Sequence, residues 1–438
     1  MPKKTVLYVV HTHPAIRPGG AESYALQLYD AMRSFGEFEP TVLARSGPPQ
    51  TTAYGHRRSP VTLVGDDPNQ FLFETDAGDY DWLFGISPNK VPLTRYYRDF
   101  LLAHKPDVVH FQHTLHLGLD MLRVTRNVLP DAAIFFTLHE YLAICHRDGQ
   151  MLRTVEDQPC LEQSPRRCHE CFPHIPARDF LLRKRFTQAH FDNVDLFISP
   201  SQFLRQRYLD WGMPPEKIVW EENGLRLPGE PLPEPDRARK RSRLAFFGQF
   251  SHYKGVNVLL EAMSLLAEDD PDIRLWLHGT NLDVQPQEFQ DEFHRLLGET
   301  PENVTLAGRY NPEDLPRLMA DIDYVVLPSL WWENAPRVIQ EAFAYGRPVI
   351  CSGIGGMAEK VTDGVNGFRF SVGDAVSLAD AIRKAVEPGV WSRLHKNLPP
   401  VHTMEGHVRN MARYYTEMME QRALSASYPV ELEEEPVP

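Results

Sequence analysis

Short, unbroken apolar runs alternate with amphipathic stretches twice along this chain, and that double alternation most narrows what it can fold into. In the first half, "TVLYVVH" (5–11), "PTVLAR" (40–45), "DVVHF" (107–111), "AAIFFTL" (132–138) and "DLFISP" (195–200) read as strands, and "AESYALQLYDAMRSFG" (21–36) as a helix stopped by Gly36. Strands that are apolar throughout and separated by helices belong to a parallel sheet covered on both faces. The second half repeats the pattern with "RLAFFG" (243–248), "IRLWLHG" (273–279), "VTLAG" (304–308), "YVVLPS" (324–329) and "PVICSG" (348–353). The expected fold class is therefore α/β, with two doubly wound parallel-sheet domains facing a central cleft. The expected division is a first domain over 1–226, a linker rich in proline and charge over 227–242 and a second domain over 243–395. A helix within 396–425 follows, with Val408, Met411, Tyr415 and Met418 on one stripe that packs back on the first domain, and 426–438 form an acidic tail.

A chain of 438 residues is too long for one ordinary core, which agrees with this division. The formal net charge of -13 argues against a nucleic-acid partner, because such binding relies on a basic footprint. No stretch approaches the ~20 apolar residues of a membrane helix, and "MPKKTVLYVVHTHP" has too short an apolar run for a secretion signal. The expected location is cytoplasmic.

Ligands of open α/β sheets bind beyond the carboxyl ends of the strands, so the loops there carry the chemistry. In "HTHPAIRPGGAES" (11–23), Gly19 and Gly20 precede a helix whose free amides suit a phosphate, or else form a plain strand-to-helix turn. In "FFGQFSHYKG" (246–255), Lys254 stands at a strand-to-helix junction, placed either to neutralise a phosphate or simply to face solvent. In "PSLWWENAPRVIQE" (328–341), Pro336 belongs to the first turn of a helix, which puts Glu333 in the preceding loop and Glu341 inside the helix. Glu341 shares its face with Val338, Ala342 and Tyr345. A carboxylate on an apolar face needs partners, and sugar hydroxyls suit an acceptor-only group. A helix cap and a structural ion pair would satisfy the same two residues.

"ENAPRVIQE" followed by "AFAYGRPVI" resembles the E-x7-E signature of glycosyltransferase family 4, and "GGAES", "DVVHFQH", "TLHEY", "FFGQF…KG" and "SGIGGMAEKVTDGVNGF" fall in that family's order. The resemblance runs to about residue 390 and implies a GT-B fold of two Rossmann-like domains. The implied activity is that of a retaining hexosyltransferase, moving a sugar from a nucleotide-diphosphate sugar to a hydroxyl of a glycan or lipid-linked acceptor without a catalytic metal. It implies that Glu341 binds ribose, Glu333 the donor sugar and Lys254 the diphosphate, with help from the amides of Gly19 and Gly20. His113 faces the reacting centre, and the backbone at Asn334 and Ala335 lines the donor pocket. His139 is either a second such histidine or an interior one. The family usually has an arginine where this chain has Gln249, a donor-binding candidate that can hydrogen-bond phosphate but adds no charge, so either Lys254 acts with less help or Arg17 or Arg337 reaches in. A sugar-nucleotide 2-epimerase and a non-catalytic sugar-nucleotide-binding protein are the rival readings.

Four of the five cysteines, Cys145, Cys160, Cys168 and Cys171, fall in one insertion (145–171) and end in a C-x2-C pair. Four thiolates with one tight pair suit a structural zinc ion, with free thiols or an iron–sulfur cluster as alternatives. The insertion is expected to shape an acceptor-binding loop. "DID" (321–323) and "DYD" (79–81) have the spacing of a metal-binding D-x-D pair, but the first lies at the wrong end of its strand. "RDFLLRKRFTQAHF" (178–191) is basic and apolar, which fits either a core helix or peripheral contact with the inner face of a membrane.

Overall fold

The structure is a computed structural model and describes residues 3–17, 19–47, 60–75, 78, 80–87, 93–155, 158–226, 240–267, 270–300 and 302–427. Most of the linker, all of the acidic tail beyond residue 427 and Asp79 of the "DYD" triplet lie outside the described residues. Eight strands form the first sheet: β1 (Lys4–Val10), β2 (Phe38–Ser46), β3 (Val61–Val64), β4 (Asp67–Glu74), β5 (Val108–Phe111), β6 (Ala133–Thr137), β7 (Leu196–Ser199) and β8 (Ile218–Trp220). Their order is β3-β4-β2-β1-β5-β6-β7-β8. All neighbours run parallel except the β3/β4 pair, an antiparallel edge that the sequence pattern did not reveal. Six strands form the second sheet: β9 (Arg243–Gln249), β10 (Arg274–Thr280), β11 (Val304–Gly308), β12 (Tyr324–Leu327), β13 (Val349–Ser352) and β14 (Gly367–Phe370), in the order β11-β10-β9-β12-β13-β14. The two α/β layers expected from the double alternation are thus both present.

The central strands are buried along their whole length because helices cover both faces. Val6 to Val10 of β1 are all at most 2% exposed. The helix Gly20–Phe35 lays Tyr24, Leu28, Tyr29 and Met32 on the sheet, an i, i+4, i+5, i+8 stripe that matches the helical period. The last helix, Met404–Ser427, buries Val408, Met411 and Tyr415 against the first domain, where the Tyr415 hydroxyl meets His110 Nδ1 of β5 at 2.6 Å.

Side chains also tie the domains to each other. Glu359 of the second domain accepts the amides of Gln202 and Phe203, at 2.9 and 2.8 Å, at the start of the helix Gln202–Asp210 in the first. Ser201 caps that helix and donates to Asn334 Oδ1 at 2.7 Å. Glu222 meets Lys360 and Gln340, and Trp332 packs on Phe203 with ring centroids 5.1 Å apart. Asp323 of the "DID" triplet pairs with Arg241 at 3.1 Å and accepts the Arg243 amide at the amino end of the sheet, a structural role.

The expectation of a four-cysteine zinc site does not hold. Cys145, Cys160, Cys168 and Cys171 are free thiols, and among the described residues no three of their sulfurs lie within 4.8 Å of one another. The C-x2-C pair falls in the helix Pro165–Cys171, where that spacing is simply one helical turn. Cys145 and Cys160 pack against the apolar core, and Cys160 donates to the Glu162 carbonyl at 3.2 Å. Burial, then the nearby thiols of Cys145 and Cys160, pushes the Cys168 thiol up to about 12. Arg147 of the insertion donates to the hydroxyl of Tyr253, the residue before Lys254 in the second domain, at 3.3 Å.

Candidate active site

The carboxyl ends of both sheets open onto one cleft of about 900 Å³. Its second-domain wall is built by the loop after β12. Leu330 N–H bonds the Tyr253 carbonyl at 2.9 Å, which brings Lys254 beside that loop. Lys254 Nζ then meets Glu333 Oε1 at 2.5 Å. The same oxygen accepts Ser329 Oγ at 2.9 Å and Trp331 Nε1 at 3.0 Å. Burial alone would raise the Glu333 carboxyl, but the Lys254 charge and these donors outweigh it and hold it below the ordinary value. The loop can take this path because Gly356 lies under it. A Cβ there would stand 1.6 Å from the Asn334 carbonyl oxygen, whereas the Gly356 amide reaches the Glu333 carbonyl at 2.8 Å.

The helix Arg337–Ala344 starts at Pro336 and carries Glu341 on the same wall. Burial raises the Glu341 carboxyl, partly offset by Arg337, whose Nε is 3.2 Å from Oε1 but out of hydrogen-bond alignment. Tyr310 and Phe247 also line the cleft, their rings 5.4 Å apart.

The first-domain wall carries a cluster that the sequence did not bring together. His11 Nε2 meets Glu22 Oε1 at 2.9 Å, and the His11 and His113 rings lie 4.5 Å apart. Leu115 N–H donates to His113 Nδ1 at 3.0 Å, so the ring proton sits on Nε2, 3.4 Å from Glu140 Oε1. Burial, then the neighbouring His11 and His139, keeps the His113 imidazole far below its usual basicity. His139 is pushed down to about 3 by burial and then His11, and Nε2 bonds Gln112 Oε1 at 2.9 Å. Burial pushes Glu140 up to about 8. Burial on this wall thus favours the uncharged forms of the His113 and His139 imidazoles and of the Glu140 carboxyl.

Of the expected residues, Gly19, Gly20, His113, His139, Lys254, Glu333, Asn334, Ala335, Arg337 and Glu341 all line the cleft. Arg17 and Gln249 are exposed and do not line it. Gln249 is the last residue of β9, and a glutamine there brings no charge to the cleft. Arg226, in the connector between domains, lines the cleft instead. His11, Glu22, Glu140, Tyr24 and Arg226 were missed. Only the glutamate within "GGAES" and the histidine of "HTHP" carried any signal, as polar residues in a loop at the correct strand end.

A cleft between two facing parallel-sheet domains, with a lysine–glutamate pair and a second glutamate on one wall, defines a glycosyltransferase of the GT-B class. The chain belongs to glycosyltransferase family 4. The family model described as Glycosyltransferase Family 4 matches residues 18–227, and that described as Glycosyl transferases group 1 matches 241–387. The D-inositol 3-phosphate glycosyltransferase of Corynebacterium aurimucosum is 26% identical over 405 residues, 86% of each protein. The spore coat protein SA of Bacillus subtilis is 32% identical over 34% of this chain and 40% of its own length. The chain thus spans less than half of some curated relatives it matches. A glycosyltransferase structure from Rickettsia africae superposes with a TM-score of 0.67 at 16% identity, over 96% of this chain and 100% of that one. The Anabaena protein HepE in complex with UDP-glucose superposes at 0.56 and 18% identity, over 97% and 99%. These superpositions establish the fold.

Proposed function

We propose that this enzyme moves a sugar from a nucleotide-diphosphate sugar to a hydroxyl of a glycan or lipid-linked acceptor, with retention at the anomeric carbon. The observation that supports the proposal is that Glu341, Lys254 and Glu333 share the second-domain wall of one cleft, with Lys254 and Glu333 in contact. Glu341 takes the ribose hydroxyls, and Tyr310 with Phe247 flanks the base. Glu333 takes the sugar hydroxyls. Cleaving the bond between sugar and phosphate leaves positive charge on the sugar and negative charge on the diphosphate. Lys254 leaves Glu333 to meet that diphosphate, helped by the Gly19–Gly20 amides and by Arg337 or Arg226, which supply the charge Gln249 does not. His113 donates its Nε2 proton in a hydrogen bond to the sugar, and the acceptor attacks from the face the diphosphate vacates. No metal takes part in this reading. The second domain is the donor side and the first, with its insertion, the acceptor side. The UDP-glucose complex of HepE supports a donor of this chemistry.

A lipid-linked acceptor is supported by the helix Ala177–Phe191, where Leu181 and Leu182 are 47% and 55% exposed beside the exposed Arg178. Among the described residues no helix is long and apolar enough to cross a membrane, so this contact would be peripheral. Co-sedimentation with anionic vesicles that is unchanged in a Leu181→Asp/Leu182→Asp variant rejects it.

The test is a thermal-shift screen over UDP-, GDP-, dTDP- and ADP-sugars, since a bound ligand raises apparent stability. Glu341→Ala is expected to stay folded and lose the shift; an unchanged shift removes Glu341 from the donor site. Epimer formation from donor without acceptor would overturn the transferase reading.

A further inference from the structure

Behind the cleft, where the first domain ends and the connector begins, three metal-ligating groups converge that the reaction does not use. Glu221 follows β8, His402 lies in the segment returning from the second domain, and His407 is in the first turn of the last helix. Their ligand atoms all lie within 4.8 Å of one another, and among the described residues no other group of three does so. His402 Nε2 is 2.9 Å and His407 Nδ1 3.2 Å from Glu221 Oε1. Two nitrogens and an oxygen around a tetrahedral ion, at bonds of about 2.0–2.1 Å, stand roughly 3.3 Å apart. The observed separations need to open by only a few tenths of an ångström.

We infer that Glu221, His402 and His407 form a binding site for one divalent transition-metal ion, zinc or a chemically similar ion, that fastens the last helix to the interdomain connector. The surroundings are built for it. The Tyr24 hydroxyl meets the outer nitrogen of His407 at 2.7 Å, the kind of outer-shell partner that orients a histidine ligand. Asn410 Nδ2 donates to both Glu221 oxygens, at 3.0 and 3.2 Å, and shares a helix face with His407 one turn away. A water completes the coordination. His407 is fully buried, while the His402 side chain, 26% exposed, leaves an entry path. Gly224 lets the strands of this knot approach: a Cβ there would stand 2.6 Å from His407 Cβ and 2.8 Å from Met404 Cα. Leu225 N–H bonds the His402 carbonyl at 2.9 Å, and Met404 N–H the Leu225 carbonyl at 3.1 Å. Binding leaves both imidazoles neutral, each proton moving to the ring nitrogen away from the ion. The role is structural, because the ion lies at the connector, whose next residues Glu222 and Asn223 seat the second domain through Gln340.

The test uses the full chain with any affinity tag removed, stripped with chelator and titrated with Co²⁺. The expected result is one ion per chain, with visible d–d absorption of a four- or five-coordinate site, no thiolate-to-cobalt charge-transfer band, and displacement by Zn²⁺. His402→Ala and Glu221→Gln, checked for folding by circular dichroism, are expected to lose the band, and zinc should raise Tm only in the wild type. Absence of stoichiometric cobalt binding by the wild type overturns the inference. So does a charge-transfer band that survives both substitutions and vanishes in Cys168→Ser, which would place the ion on the thiols.

Discussion

Replacing Lys254 with methionine should turn the cleft's strongest internal contact into its largest liability. Glu333 has a side chain 9% exposed and a lysine 2.5 Å away. Removing one partner of such a buried pair typically costs 3–5 kcal/mol, because the remaining charge is left uncompensated. Ser329 and Trp331 still donate to Glu333, which places the expected loss at the lower end, about 3 kcal/mol. Glu333→Gln should cost less, about 1 kcal/mol, since the Lys254 side chain is 29% exposed and can turn to water. The double variant is then expected to be more stable than Lys254→Met alone, with a coupling energy of roughly 2 kcal/mol. The sign of the pH dependence is diagnostic. In the wild type the Glu333 carboxyl sits below its ordinary value, so its contribution is present above the unfolded pKa and lost as pH falls through the folded one. Without Lys254, burial raises that carboxyl instead, and the penalty grows as pH climbs past the unfolded value. Urea denaturation followed by tryptophan fluorescence, from pH 4 to 7, should show the gap between wild type and Lys254→Met widening with pH. A gap under about 1 kcal/mol that stays flat with pH would refute the pairing and its strength.

Gly356→Ala should abolish transfer while leaving the sheets intact, because its Cβ collides with the Asn334 carbonyl and displaces the loop that carries Glu333; a donor KM and kcat near wild type would contradict this. Trp332→Ala removes a side chain only 5% exposed, packed on Phe203 and under Arg207, and should cost about 3–5 kcal/mol and enlarge the radius of gyration measured by small-angle scattering. Glu140, pushed up to about 8 in the folded chain, keeps its proton where the unfolded chain has lost it. Stability should therefore fall by up to about 1.4 kcal/mol per pH unit between the unfolded value and 8, and Glu140→Gln should flatten that slope in denaturation series.

The second-domain wall was readable because its parts are close in sequence. Glu333 and Glu341 flank one helix start, and the strand before them fixes which end faces the ligand. The first-domain wall was not, because His11 and Glu22 follow β1, His113 follows β5 and Glu140 follows β6, and these three connections meet only once the sheet order is set. The two tryptophans of "WWE" show the same limit at single-residue scale. Trp331 turns its Nε1–H to Glu333, whereas Trp332 joins the apolar core of the opposite domain, and no local pattern separates an apolar residue facing a pocket from one facing another domain. The cysteines misled for a related reason. A two-residue spacer suits a metal knuckle and a helical turn equally, and only the backbone decides between them.

The carboxylate of Glu359 holds the first amides of a helix that belongs to the other domain. A helix start is normally satisfied from within its own fold, so its protection follows local stability. Here the Gln202 and Phe203 amides lose their acceptor whenever the domains part, even while both domains stay folded. Their hydrogen–deuterium exchange consequently measures the fraction of time the cleft spends open, residue by residue and without any label. A nucleotide-sugar that draws the domains together should slow exchange at these two positions before it changes exchange anywhere in either sheet.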